Sequence, residues 1–153
     1  MFDFLVALGK TQFNEWFNPW FVNMCDKPEY KPEIMQGFDL TSYTGKWYEQ
    51  THSKEFFVQP DDSVCITADY SFDDDGTFKI ANTYQTGNVR NPQRGGFSER
   101  TGRTAFAECD ENGQATCVVS FSGKNFKGKP NYNVLFTDYD NVSVVYNCER
   151  STQ

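Results

Sequence analysis

From residue 45 onward the chain alternates between bulky apolar and polar positions. Between Ser63 and Phe72, the residues Val64, Ile66, Ala68, Tyr70 and Phe72 fall on one side of a period-two pattern, with Cys65, Thr67 and Asp69 on the other. Strand-like stretches recur at Lys46 to Phe57, Thr77 to Thr86, Arg100 to Cys109, Thr116 to Ser122, Asn131 to Thr137 and Asn141 to Cys148. Turn chemistry separates them: DDDG, the loop GNVRNPQRGG, ENGQ, SGKNFKGKP and TDYD. No helical period of any length intervenes. The pattern predicts seven antiparallel strands on short loops, an all-β up-and-down barrel or meander with one face on a core or cavity.

Residues 1–24 read differently. Phe13, Trp16, Phe17, Trp20, Phe21 and Met24 recur at helical spacing, after an earlier cluster of Phe2, Leu5 and Val6, and Pro19 ends or bends any helix. The division is therefore a partly helical, aromatic-rich arm at 1–24 and a β-domain at 25–153. The arm packs on its own domain or docks on a partner, through residues 2–24, at a protein complex or a peripheral membrane interface, where Trp and Phe are favoured. No apolar run is long enough for a transmembrane helix.

The hairpin around ENGQ sets Cys109 and Cys117 opposite one another, close enough for a disulfide. Five cysteines without a CxxC, beside a lone histidine, His52, point to an oxidising compartment, secreted or an organelle lumen, and give no zinc set. The odd count leaves one thiol over. A net charge of -7 argues against nucleic acid as a partner.

Two segments carry a resemblance. FDLTSYTGKWYEQ is similar to the first lipocalin motif, the GxW box, and TDYDNVSVVYNC to the second, with Tyr139 one residue early. The chain thus resembles the lipocalin family over about residues 25–148, closest to its apolipoprotein D and bacterial lipocalin group. The resemblance implies that Gly45 lets the chain swing into the first strand, that Trp47 plugs one end of a barrel, and that Thr137, Asp138 and Tyr139 turn beside the plug. It implies a bridge between Cys25 and Cys148, and a partner for Cys65 in a C-terminal extension. The family's last strand, third motif and helix would follow Cys148, where this sequence ends at NCERSTQ.

An eight-stranded barrel holds one small ligand, and the family's ligands are small hydrophobic molecules such as a lipid, sterol or pigment. Aromatic and apolar residues of successive strands, Phe57, Tyr70, Tyr84, Phe106, Val118, Tyr132 and Tyr146, are the expected lining. A single bulge would reverse inside and outside. His52 is either a polar handle at the pocket mouth or a solvent-exposed side chain. Asp61, Asp62 and Asp73 to Asp75 are expected as solvated turn residues, and Asn141-Val142-Ser143 is an N-glycosylation sequon. The expected role is a non-catalytic carrier without cofactor beyond a bound lipid or pigment. An accessory subunit docked by its arm is the alternative, and an enzyme using Glu49 or Glu55 as one of an acid pair ranks behind both.

Overall fold

The structure, a computed structural model, describes residues 2–9, 32–52, 62–87 and 98–149, with the backbone alone at 2–9 and 147–149. Eight strands form a closed barrel in sequence order: β1 (Phe2–Gly9), β2 (Gly45–His52), β3 (Ser63–Phe72), β4 (Phe78–Thr86), β5 (Thr101–Cys109), β6 (Thr116–Ser120), β7 (Tyr132–Thr137) and β8 (Val142–Glu149). Every neighbouring pair is antiparallel, including β1 with both β2 and β8.

The seven strands expected after residue 45 are all present; the first is described over Gly45–His52, and its expected continuation to Phe57 lies outside the described residues. The arm is corrected in part. Phe2–Gly9 is a strand, running from Phe2 beside Glu149 to Gly9 beside Val142 on one edge and pairing β2 on the other. Its backbone groups are spent on closing the barrel, and a run as short as FDFLVALG fits a strand as readily as a helix. The helical spacing from Phe13 to Met24 lies outside the described residues.

One end of the barrel is sealed by the chain leading into β2. Ile34 to Phe38 runs as an extra rung: the Met35 N–H donates to the Val134 carbonyl, Ala115 N–H to Met35, and Phe38 N–H to Gly113. Asp39 then starts the tight turn, its carboxylate accepting from the Thr41 N–H at 2.9 Å and the Ser42 hydroxyl. At Gly45 φ is +110°, and a Cβ there would meet nothing within 4 Å. The backbone conformation, not crowding, asks for glycine at this position.

Three irregularities set which side chains face inward. Two residues of β3, Cys65 and Ile66, lie between the paired Val64 and Thr67 where β4 has only Tyr84, and Cys65 sits there at φ +53°. An extra residue separates Thr51 from Glu49 opposite Ala7 and Leu8. Another separates Val134 from Phe136 on β7, so Phe136 is exposed while Val134 and Thr137 are both buried. Each is a β-bulge, which resets the alternation of the strand that carries it.

Candidate functional site: the barrel interior

The floor is aromatic. Trp47 is fully buried, and its indole N–H donates to the Tyr43 carbonyl at 3.0 Å. The Tyr43 ring packs on Trp47 at 5.2 Å and on Tyr70 at 5.1 Å, and Tyr70 stacks on Phe78 at 5.7 Å. To the same core β5 contributes the small buried residues Ala105 and Ala107. Small residues on one wall leave room for the rings of the other. The Cys109–Cys117 disulfide is present, with Cys117 buried and Cys109 packed on the same core.

Beside the plug, the second motif forms a self-contained turn. The Asp138 carboxylate accepts backbone N–H bonds from Asp140, Asn141 and Val142. These bonds hold its carboxyl well below the usual carboxylate range. Thr137 donates its hydroxyl to the Val142 carbonyl and accepts from the Tyr139 N–H. Tyr139, at φ +64°, accepts the Asp39 N–H on its hydroxyl at 2.9 Å, tying the two motif segments together. Gly45, Trp47, Thr137, Asp138 and Tyr139 are thus gathered at one end of the barrel.

Running through the floor is a row of four hydroxyls. Ser143 meets Tyr43 at 2.8 Å, Tyr43 meets Tyr132 at 3.0 Å, and Tyr132 meets Tyr70 at 2.7 Å. Burial pushes the Tyr43 phenol up to about 12 and raises Tyr70 and Tyr132 well above their ordinary value. All three keep their protons at neutral pH.

Toward the other end the interior becomes polar. Glu49 follows Trp47 on the same face of β2, and its side chain is only 7% exposed. The bulge after it brings His52 onto the same side, where its Nδ1 lies 2.6 Å from Glu49 Oε1. The nearby Glu49 charge adds to the rise of the Tyr70 phenol, behind burial and the Tyr43 neighbour. Across the barrel, Asn82 pairs Arg103 and Tyr84 pairs Thr101, on the alternation that points Phe78, Ile80, Ala105 and Ala107 inward.

Of the expected lining, Tyr70 and Tyr132 stand in the hydroxyl row, and Tyr84 shares the face of buried Phe78 and Ile80. Three residues are corrected to the outer face. Phe106 lies between inward Ala105 and Ala107, and Lys124 Nζ covers its ring at 5.0 Å. Val118 pairs exposed Glu108, opposite in phase to buried Cys117. Tyr146 pairs Asn133, out of phase with the buried Val134–Val145 pair. For Phe106 the reason is that the inward positions on either side of it are the small residues Ala105 and Ala107; for Val118 and Tyr146 it is strand phase, fixed by their buried neighbours Cys117 and Val145. Phe57, Asp61, Glu55 and Cys25 lie outside the described residues, as does the side chain of Cys148, so the Cys25–Cys148 bridge falls there too. Cys65 is free and exposed.

The loop carboxylates are also more engaged than expected. Lys124 reaches Asp73 at 2.7 Å and Asp75 at 2.6 Å, which lowers both carboxyls. In the sequon, Asn141 is exposed and its amide donates to Asp138, while Ser143 is fully buried against Tyr43. Among the described residues no cluster of three or more potential metal ligands occurs.

Comparison with known proteins agrees with this geometry. The family model for the lipocalin-like domain matches residues 38–152. The chain belongs to the lipocalin family. It is 32% identical over 119 residues to apolipoprotein D of Cavia porcellus, covering 76% of this chain and 55% of that protein. It is 30% identical over 112 residues to the Lazarillo protein of Schistocerca americana, covering 72% and 47%, and 31% identical over 105 residues to the outer membrane lipoprotein Blc of Escherichia coli K12, covering 69% and 52%. This lipocalin chain spans about half the length of the relatives it matches. Among solved structures, the cockroach allergen Per a 4 superposes at a TM-score of 0.41 with 21% identity, covering 80% of this chain and 76% of that one.

The interior polar residues Tyr43, Ser143, Glu49 and His52 were not foreseen as a group. Alternation from Trp47 would have placed Glu49 inward. Tyr43 enters from a turn, where periodicity carries no signal, and Ser143 shares the inward phase of Val145 on β8 as a small polar residue.

Proposed function

We propose that this chain is a carrier for a small apolar molecule held in its barrel. The observation that carries the reading is the contrast within one closed eight-strand barrel. Aromatic rings seal one end around Trp47, whereas Thr101 to Thr104 of β5, on the side of the other end, are exposed on both faces. A barrel of this strand number has an interior the size of one small ligand, and a sealed aromatic end with an accessible opposite end suits an apolar guest entering from water. Membership of the lipocalin family and similarity to a protein named apolipoprotein D support the same reading. The disulfide at Cys109–Cys117 favours an oxidising compartment, the secreted space or an organelle lumen.

The test is native mass spectrometry of the protein from its natural source, with titration of the chain by N-phenyl-1-naphthylamine. A co-purifying apolar molecule, or saturable enhancement of the probe's fluorescence at one site per chain, is the expected result. Neither a bound molecule nor a fluorescence change would remove the carrier reading.

A further inference from the structure

The fold splits the N-glycosylation signal in two. Asn141-Val142-Ser143 is the one Asn-x-Ser/Thr triplet in the 153 residues, and its two halves are the asparagine amide and the hydroxyl two positions on. Asn141 stands exposed on the turn between β7 and β8. Ser143 is fully buried, its hydroxyl 2.8 Å from that of Tyr43 in the floor. The closed barrel therefore presents the acceptor nitrogen to an enzyme and withholds the hydroxyl. What encloses Ser143 comes from two distances along the chain. Thr137 pairs it across the β7–β8 hairpin, and Tyr43 reaches it from 100 residues upstream. The hydroxyl is enclosed only once the last strand has joined the barrel.

The exposed half can carry a sugar without loss to the turn. Backbone N–H groups of Asp140, Asn141 and Val142 donate to the Asp138 carboxylate, and none of them is touched by attachment. The Asn141 side chain adds one bond, from Nδ2 to Asp138 Oδ2 at 3.1 Å. Attachment removes one of the two Nδ2 hydrogens and leaves the one that this bond requires. We propose that Asn141 is the attachment point of a single N-linked glycan, transferred while β8 is still unpaired, and that closure of the barrel ends the opportunity. Nδ2 attacks C1 of an oligosaccharide carried on a polyprenyl diphosphate. The N–C1 bond forms, the C1–O bond to phosphate breaks, the lipid diphosphate leaves with the bonding pair, and Nδ2 releases one proton. The Cys109–Cys117 bridge favours a compartment of the kind in which secreted chains are modified in this way. The inference goes beyond the carrier reading: it depends on the compartment and not on any guest in the barrel.

Two measurements test it. Protein from its natural source is reduced and digested with trypsin, and the peptide holding Asn141 is weighed before and after peptide N-glycosidase. The expected peptide carries one oligosaccharide and returns with aspartate at position 141. An unmodified asparagine peptide overturns the assignment, whatever the barrel binds. The order of events is read with purified oligosaccharyltransferase and its lipid-linked donor. One acceptor is the full chain, made without glycan and folded with its disulfide, and the other is a synthetic peptide of residues 136–147. The peptide should be modified at least about tenfold faster, since the folded chain must first open to release Ser143. A Ser143→Ala peptide, in which folding plays no part, should not be modified. Equal rates on the folded chain and the peptide, or transfer to the Ser143→Ala peptide, overturn the claim that closure withholds the site.

Discussion

At the sealed end Trp47, Tyr43, Val134, Val145 and Ser143 are fully buried, and the polar groups among them are joined to one another. On the opposite side, Thr101 to Thr104 of β5 are exposed, and the interior faces are largely polar, with Glu49, Asn82 and Arg103 beside Tyr84. The same strands cross both regions. What differs is that the sealed end receives a second layer of chain, the rung at Ile34 to Phe38 and the Asp39 turn, which covers what the strands alone would leave open. Stability is thereby concentrated where the two motif segments meet, and the rest of the lumen is left to chemistry.

The largest break in this contrast should come from Trp47→Ala. Removing a fully buried indole that also donates a hydrogen bond is expected to destabilise by about 3–5 kcal/mol. Thr101→Ala should stay within about 0.5 kcal/mol. Urea unfolding of the two variants measures both. Comparable losses would mean that the two regions share the folding energy evenly.

Next comes alkaline pH. The Tyr43 phenol is raised from 10.0 to about 12 by burial. A raised folded-state value means that the unfolded chain loses this proton first. The stabilisation is complete below the unfolded value near 10, and it is lost as pH rises through the folded value near 12. Up to about 2–3 kcal/mol goes in that window. Unfolding free energies at pH about 9 and about 11.5, followed with tyrosinate absorbance, read it. The interior tyrosines should ionise together with unfolding. Titration of all the tyrosines as ordinary surface phenols, in a chain that stays folded, would contradict the enclosed row.

Replacing both Cys109 and Cys117 by serine should lower stability by about 2 kcal/mol, a modest amount because the bridge closes a short hairpin loop. The Ile34 to Phe38 rung lies against the same hairpin loop, bonding Gly113 and Ala115. Hydrogen exchange in the double variant should therefore rise at these amides before it rises in β3 and β4. Uniform acceleration would show that the sealed end is not a unit of its own.

The strands and the sealed end were legible in the sequence for a local reason. Turn residues such as DDDG and ENGQ, the glycine at Gly45 and the alternation after it act within a few positions, so reading along the chain finds them. Facing was less legible. The Cys109–Cys117 pair fixes the phase of β5 and β6, and following it would have sent Phe106 and Val118 outward, but the bulge on β7 has no residue type that announces it. The β1 strand was hidden differently. FDFLVALG pairs with two segments far along the chain, and nothing in its own pattern says which neighbours will claim it. The hydroxyl row is non-local in the same way, since Tyr43 and Ser143 are 100 residues apart.

The smallest effect tests whether the β3 bulge stores strain on the mouth side of the comparison. Cys65 is exposed and holds φ at +53°, a conformation that β-branched side chains resist. Cys65→Val should cost about 1 kcal/mol, whereas Cys65→Gly should leave stability within about 0.5 kcal/mol, the gain in permitted backbone offsetting the freedom glycine adds to the unfolded chain. Because the side chain is exposed, packing cannot separate the two variants, so a difference between them reports the backbone. Equal stability of the valine and glycine variants, measured by urea unfolding, would mean that the strand slips to absorb the change. A slipped β3 would carry Tyr70 out of the hydroxyl row, and Tyr70 meeting Tyr132 at 2.7 Å makes that slip expensive.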